Sequence, residues 1–126
     1  MIKIPQQVKK EAQEGYLLHT NGFVGGTDTG YERDHQLINS KEISIQDLRV
    51  MRNWFARHRI TSYPGYLKWV SDNKPEIVDR NKNNYRGAVA WLLWGGTPAY
   101  EWINSNEVQE ALNREYPDKE NKLPNL

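Results

Sequence analysis

The chain has 126 residues, and its 17 Lys and Arg residues nearly balance its 16 Asp and Glu residues, which leaves a formal net charge of +1. This balance argues against a strongly basic domain of the kind that binds polyanions, although it allows a local basic face. The chain has no Cys, which excludes a disulfide framework and any thiolate metal site.

The length fits a single domain with one core. Hydrophobic types make up 37% of the residues, and the five Trp and seven Tyr predict that aromatic rings fill much of this core. The first ten residues, MIKIPQQVKK, lack the apolar run of a signal peptide, and the longest apolar stretch, residues 88–94, is too short to span a bilayer. We therefore expect an intracellular protein without a membrane partner.

Two helices are predicted in the first third of the chain. Residues 5–22 begin with a proline, which suits a first helical turn, and end at Gly22, a residue type that often stops helices. Their apolar stripe consists of Val8, Ala12, Gly15 and Leu18. After a glycine-rich loop, we expect Asp28 or Thr29 to cap a second helix that continues to about residue 40.

The strongest amphipathic pattern lies in residues 44–58. Ser44 and Asp47 resemble a capping box, with Asp in place of the usual Glu. The apolar residues that follow at helical spacing are Ile45, Leu48, Met51 and Phe55. We predict one continuous helix that buries this stripe and ends at His58, where the ring caps the helix C-terminus.

The second half of the chain is less regular. Residues 59–84 indicate a short helix or a turn, followed by a polar excursion. Residues 88–94 are apolar on all sides, and their Ala and Leu content favours a central buried helix over a strand. We expect this helix to end at Gly95 and Gly96, with Thr97 and Pro98 opening the next one. A last helix is predicted to begin at Ser105 or Asn106.

These elements predict an all-α fold. The domain is expected to cover residues 1–116, with five to seven short helices, an aromatic-rich core and no convincing strand. Residues 117–126 are expected to form a loose polar tail.

No motif for catalysis or for metal or cofactor binding stands out. The loop of residues 22–30 is rich in glycine, but it lacks the Lys of a phosphate-binding loop and a preceding buried strand, which favours a structural turn. The three His residues lack the spacing that places two ligands on one helical face. The carboxylates near aromatic residues, Glu32, Asp34 and Glu101, are interpreted as solvated helix faces. We therefore expect no enzyme and no cofactor.

A basic and aromatic group between residues 49 and 69 is the main candidate for a contact surface. Its cations are suited to gripping phosphates and its rings to stacking on bases. The alternative, which the near-zero net charge favours, is that the rings belong to the core and the cations face water or acidic residues. The candidate contact residues are Arg49, Arg52, Arg57, Arg59, Lys68 and Trp69.

Several short motifs occur in a characteristic order: VKKEAQEG, GGT followed by an Arg, an IS-capped helix ending in FARH, and AWLLWGG before a final Trp. In this order they resemble a small module of tailed bacteriophages, found as short phage proteins or as segments of head-region proteins. The resemblance covers about residues 5–103. The motif residues of structural interest are Gly25, Gly26, Thr27, Arg33, Ser44, Phe55, His58, Trp91, Trp94, Gly95, Gly96 and Trp102.

This chain departs from the family pattern in two places. The charged, glycine-rich link after FARH is replaced by another sequence, and Thr97 stands where the family has an Asp. The resemblance implies a phage-encoded protein without a settled activity. Our leading hypothesis is a non-enzymatic, virion-associated interaction protein of the head or portal region, located in the virion or the host cytoplasm, with a phage structural protein as partner. The alternatives are a nucleic-acid-binding accessory protein that uses residues 49–69 and a small inhibitor of a host enzyme.

Overall fold

The computed structural model describes all 126 residues and is mostly helical. Its elements are β1 (Ile2–Lys3), α1 (Gln6–Thr20), α2 (Asp28–Asn39), β2 (Glu42–Ile43), α3 (Ile45–Ser71), α4 (Arg86–Leu93), α5 (Gly96–Ile103) and α6 (Asn106–Glu115). Six helices around an aromatic core confirm the predicted all-α fold. None of these helices has the length and apolar character needed to cross a membrane.

The two strands form a minimal antiparallel ladder in which Ile2 lies opposite Ile43. Sequence patterns do not reveal this ladder, because two residues per strand are too few to show an alternation of apolar and polar side chains. The pairing brings the start of the chain against the segment that connects α2 to α3.

Helix α4 is the centre of the core, as predicted. It packs against α1 on one side and α3 on the other, and both Trp91 and Trp94 are buried. The backbones of α1 and α4 touch at Gly15, where an added Cβ would lie 2.9 Å from the amide nitrogen of Leu93. Glycine at this position therefore permits the close packing that offsets its low helix propensity.

Helix α3 is longer than predicted, because it continues past His58 to Ser71 and contains Pro64. A proline inside a helix leaves the carbonyl four residues earlier without its N–H partner. Here that residue is Ile60, and both Ile60 and Pro64 are exposed, so water can hydrate the freed carbonyl. The next residue, Gly65, lies where α3 crosses α4, and its Cβ would be 3.0 Å from the Cα of Gly87. The Pro-Gly pair thus marks a helix crossing and not a turn.

Two helix starts also differ from the predictions. Thr27, and not Asp28 or Thr29, caps α2, since its hydroxyl accepts a hydrogen bond of 3.2 Å from the Gly30 amide. Gly95 opens α5 in the left-handed conformation, with φ at +99°, ahead of the predicted start at Thr97. An added Cβ there would lie 2.6 Å from the Cβ of Ala99, so the position excludes other residues.

The caps of α3 and α6 agree with the predictions. The Ser44 hydroxyl accepts a bond of 3.1 Å from the Asp47 amide, and Ser105 accepts one from Val108. Of the predicted stripe on α3, Ile45 is half-buried, and the remaining members, Leu48, Met51 and Phe55, are fully buried.

The prediction of a loose tail is wrong, because residues 117–126 pack against α3, α5 and α6. Leu123 is 2% exposed, and the Asn104 side chain pairs with both its N–H and its carbonyl, at 2.7 and 2.8 Å. Asn121 is buried beside it and bonds to the side chain of Asn113. The polar sequence of this segment does not predict its docking, because many of the contacts are hydrogen bonds between side-chain amides and the main chain. Leu123 is the one apolar anchor.

Candidate interaction surface on helix α3

The predicted cations of α3 divide into two groups with different surroundings. The first group comprises Arg49, Arg52 and Arg59, which face the segment of residues 117–126 and the neighbouring Tyr100. The second comprises Arg57 and Lys68, which are eleven residues apart and therefore point within about 20° of the same direction. The structure does not bring the two groups together into one patch.

The first group lies on the side of α3 that we call the covered side. Arg49 donates to the side-chain oxygen of Asn121 at 2.8 Å and to the carbonyl of Glu120. Arg52 donates to the carbonyl of Lys122 at 3.0 Å. These guanidinium groups therefore already bind oxygen atoms of the chain itself.

Trp69 does not contribute to a contact surface. Its side chain is 1% exposed, and its indole nitrogen donates to the carbonyl of Pro75 at 2.9 Å. The burial of this ring agrees with the favoured alternative, in which the aromatic residues belong to the core, and its hydrogen bond anchors the loop after α3.

The second group flanks an apolar stripe, which we call the outer face of α3. It contains Ile60, 73% exposed, and Leu67, 48% exposed, with Pro64 between them. These three residues stand at positions i, i+4 and i+7, so they form one line along the helix. The sequence has no Asp or Glu between Leu48 and Ser71, and neither Arg57 nor Lys68 forms an ion pair.

A stack of four groups connects α3 to α4 and α2. Trp54 lies between His58 and Trp94, with ring centroids 4.8 Å apart on each side. The guanidinium of Arg33 lies over the ring of Trp94, 5.3 Å from its centroid. Trp54 is 8% exposed and Trp94 is 3% exposed, which leaves neither indole a free face for base stacking.

The prediction that His58 caps a helix end is wrong, because α3 continues to Ser71. His58 lies in the middle of α3 and forms the outermost layer of this stack. Burial and the neighbouring Arg57 lower the pKa of His58 below its ordinary value. The ring is therefore mainly neutral at pH 7.

Arg33 is held in place by the first turn of α3. It lies 3.5 Å from a carboxylate oxygen of Asp47, and Gln36 donates to the other oxygen at 2.9 Å. Burial opposes ionisation of Asp47, but the bonds from Gln36, Arg33 and Ser44 outweigh it and lower the pKa of Asp47. Sequence reasoning missed Gln36. It placed Trp54 in the basic and aromatic group as a ring for base stacking, whereas the structure places this ring inside the aromatic stack.

Several motif residues serve the core and not a surface. Phe55 is fully buried with its ring edge-on to Trp91 at 5.0 Å. Gly25 and Gly26 have positive φ, and a Cβ on Gly25 would lie 2.7 Å from the carbonyl of Arg86, which agrees with a structural turn. Trp102 lies apart from the stack, in a cleft beside β1. The motifs thus describe a packing scheme around α4.

One carboxyl group that was predicted to be solvated, that of Asp34, is buried in the structure. Asp34 on α2 is 1% exposed, and its Oδ1 atom has no hydrogen-bond partner. Burial raises the pKa of Asp34 to about 8, so the group is largely protonated at neutral pH. The other two carboxylates that were predicted to be solvated, Glu32 and Glu101, are exposed as expected.

No protein-family model, curated protein or solved structure matches this chain. The structure has no group of three or more His, Asp or Glu residues placed to hold a metal ion. The outer face of α3 and the stack beside it are therefore interpreted from their own chemistry.

Proposed function

We propose that this protein is a non-enzymatic interaction protein whose partner binds the outer face of α3. One observation carries the proposal: Ile60 and Leu67 are exposed in one line along a helix that has no acidic residue between positions 48 and 71. Exposed isoleucine and leucine in one line mark a contact surface better than scattered apolar residues do.

The composition of this face defines the partner's chemistry. An amphipathic protein helix fits a line of apolar anchors spaced i, i+4 and i+7, since its own anchors repeat at the same interval. Acidic residues on its flanks complement Arg57 and Lys68, which have no carboxylate partner within the chain. Charge pairs at the rim of such an interface speed association and fix its register more than they add affinity.

The identity of the partner rests on the motif resemblance. A phage protein of the head or portal region is proposed, and the protein is then expected in purified phage particles. Mass spectrometry of such particles tests this part: its detection at a fixed ratio to the major head protein supports the proposal, and its absence from particles contradicts it.

Affinity capture with matched variants tests the surface itself. Ile60→Asp places a charge in the apolar line, whereas Ile77→Asp changes an isoleucine that is 80% exposed in a loop outside α3. We expect Ile60→Asp to lose the captured partner and Ile77→Asp to retain it. Equal capture by both variants would show that the partner binds elsewhere.

A second candidate function, nucleic-acid binding, is favoured by the same lack of carboxylates on α3. Arg57 and Lys68 have no carboxylate partner, although Lys68 lies over the Tyr85 ring at 5.5 Å. Two such cations predict that log affinity for duplex DNA falls with log salt at a slope no steeper than about −2. The buried Trp69 and the occupied Arg49 and Arg52 weigh against it. Titration of labelled DNA at about 50 mM salt separates the candidates: micromolar binding that disappears by about 200 mM would favour nucleic acid.

A further inference from the structure

A cavity of about 370 Å³ opens beside the aromatic stack, between α3 and the start of α2. Thr27 and Thr29 line it from α2, and Arg57, His58 and Ser62 line it from α3. The indoles of Trp54 and Trp94, together with two aliphatic side chains, form an apolar wall. No carboxylate is part of the lining.

The first turn of α2 borders this cavity through Thr27 and Thr29 and contains amides without a partner inside the helix. Thr27 already accepts the amide of Gly30, and its carbonyl accepts the amide of Tyr31. The amides of Asp28 and Thr29 remain without partners inside the helix, as at every helix start, and they carry the positive end of the helix dipole. Asp28 itself is exposed and lies outside the lining.

Ser62 gives an independent indication of a ligand. This residue is 6% exposed, lines the cavity, and its hydroxyl forms no hydrogen bond within the chain. A neighbouring hydroxyl, that of Thr61, instead bonds back to the carbonyl of His58. The Ser62 hydroxyl oxygen is not among the fully buried atoms that lack a partner, so it reaches the water of the cavity and is available to a molecule that takes the place of that water.

We propose that this cavity binds an oxyanion, either a phosphate or a carboxylate group carried by a small molecule or a side chain. Arg57 supplies a charged pair of donors, the hydroxyls of Thr29 and Ser62 supply neutral ones, and the indole wall reduces competition from water. The cavity shares Arg57 with the proposed partner surface, but Ile60 and Leu67 do not line it. Ile60→Asp, which is expected to lose the partner, therefore leaves the cavity lining unchanged, and this variant separates the two proposals.

NMR titration of the full chain with inorganic phosphate and, separately, with acetate tests this proposal at constant pH and ionic strength. We expect the Thr29 amide and the Trp94 indole N–H to shift along saturable curves, with a low-millimolar dissociation constant for the preferred anion. Saturation by phosphate assigns the site to phosphate groups, and saturation by acetate assigns it to carboxylates. Shifts that grow linearly with both anions, without saturation, overturn the proposal.

Variants distinguish a built site from general charge attraction. Arg57→Gln removes the charged donor of the cavity and is expected to weaken binding about tenfold. Arg114→Gln removes an exposed cation on α6, outside the cavity, and should leave the dissociation constant unchanged. Ser62→Ala should weaken binding two- to fivefold, in line with the loss of one neutral hydrogen bond. Equal affinities of the wild type and Arg57→Gln would contradict the site.

Discussion

The covered side and the outer face of α3 carry similar residues in the sequence but have opposite surroundings in the structure. On the covered side, Arg49 and Arg52 bind oxygen atoms of residues 120–122. On the outer face, Arg57 and Lys68 have no acidic partner and flank an exposed apolar line. Charge density along a chain therefore locates basic residues, whereas only their neighbours in space decide which of them remain free to bind a partner.

The largest expected difference is that between a buried residue of α3 and an exposed residue of its outer face in their contributions to stability. Phe55→Ala should lower the free energy of unfolding by about 3–5 kcal/mol, because the ring is fully buried against Trp91 and Tyr100. Ile60→Ala should change it by no more than about 0.5 kcal/mol, since the side chain is already in water. Urea unfolding of both variants measures the difference, and a large loss for Ile60→Ala would mean that the outer face is not free.

The docking of residues 117–126 is tested by its apolar anchor. Leu123→Ala should lower the free energy of unfolding by about 2–3 kcal/mol, because a nearly buried leucine is truncated. Leu126→Ala, at a position 44% exposed, is the matched control and should have almost no effect. Limited proteolysis should also cut the Leu123→Ala variant after residue 116 faster than the wild type. Similar stability of both variants would support the prediction that residues 117–126 form a loose tail.

Asp34 predicts a pH dependence that an exposed acid does not produce. Its pKa is about 8 in the folded chain against 3.8 for the ordinary group, so the folded state retains a proton that the unfolded state has lost. Stability should therefore fall as pH rises from about 4 to 8 and level off above. Asp34→Asn removes this penalty and should raise the free energy of unfolding by about 1–3 kcal/mol at pH 7.5.

The matched control is Glu32→Gln on the same helix, where the side chain is exposed and no such effect is expected. Unfolding at a series of pH values provides the measurement. A stability gain of Asp34→Asn that is equal at pH 4 and pH 7.5 would show that the residue is not protonated by burial.

The smallest predicted difference in the free energy of unfolding is that between an arginine of the covered side and the arginine beside the outer face. Arg49→Gln should lower the free energy of unfolding by about 1 kcal/mol, since it loses charge-assisted bonds to Glu120 and Asn121 in a partly exposed setting. Arg57→Gln should leave stability within about 0.5 kcal/mol of the wild type, because it lacks such partners. Equal losses would remove the distinction between a covered side and an outer face.

The sequence correctly predicts those elements whose pattern is contained within a short stretch of the chain. The stripe from Leu48 to Phe55, the caps Ser44 and Ser105 and the apolar run of α4 are all found as expected. These signals succeed because periodicity and capping act within one or two helical turns.

The failures have a common cause, since each depends on contacts far along the chain. Pro64 and Gly65 indicate a turn locally, but Gly65 meets Gly87 at a helix crossing. The burial of Leu123 depends on Asn104, and the role of His58 depends on Trp54 and Trp94. The candidate site is therefore only half predictable: the sequence names its cations, and the fold decides which of them are free.

Hydroxyl-radical footprinting of the protein in complex with its captured partner tests the central claim most directly. Radicals report the exposure of individual side chains, and Ile60, Leu67 and Ile77 are all accessible in the free chain. If the outer face of α3 is the interface, Ile60 and Leu67 should be protected in the complex, while Ile77 remains as reactive as before. Protection of Leu126, in the segment that lies on the covered side of α3, with unchanged reactivity of Ile60 and Leu67, would contradict the account.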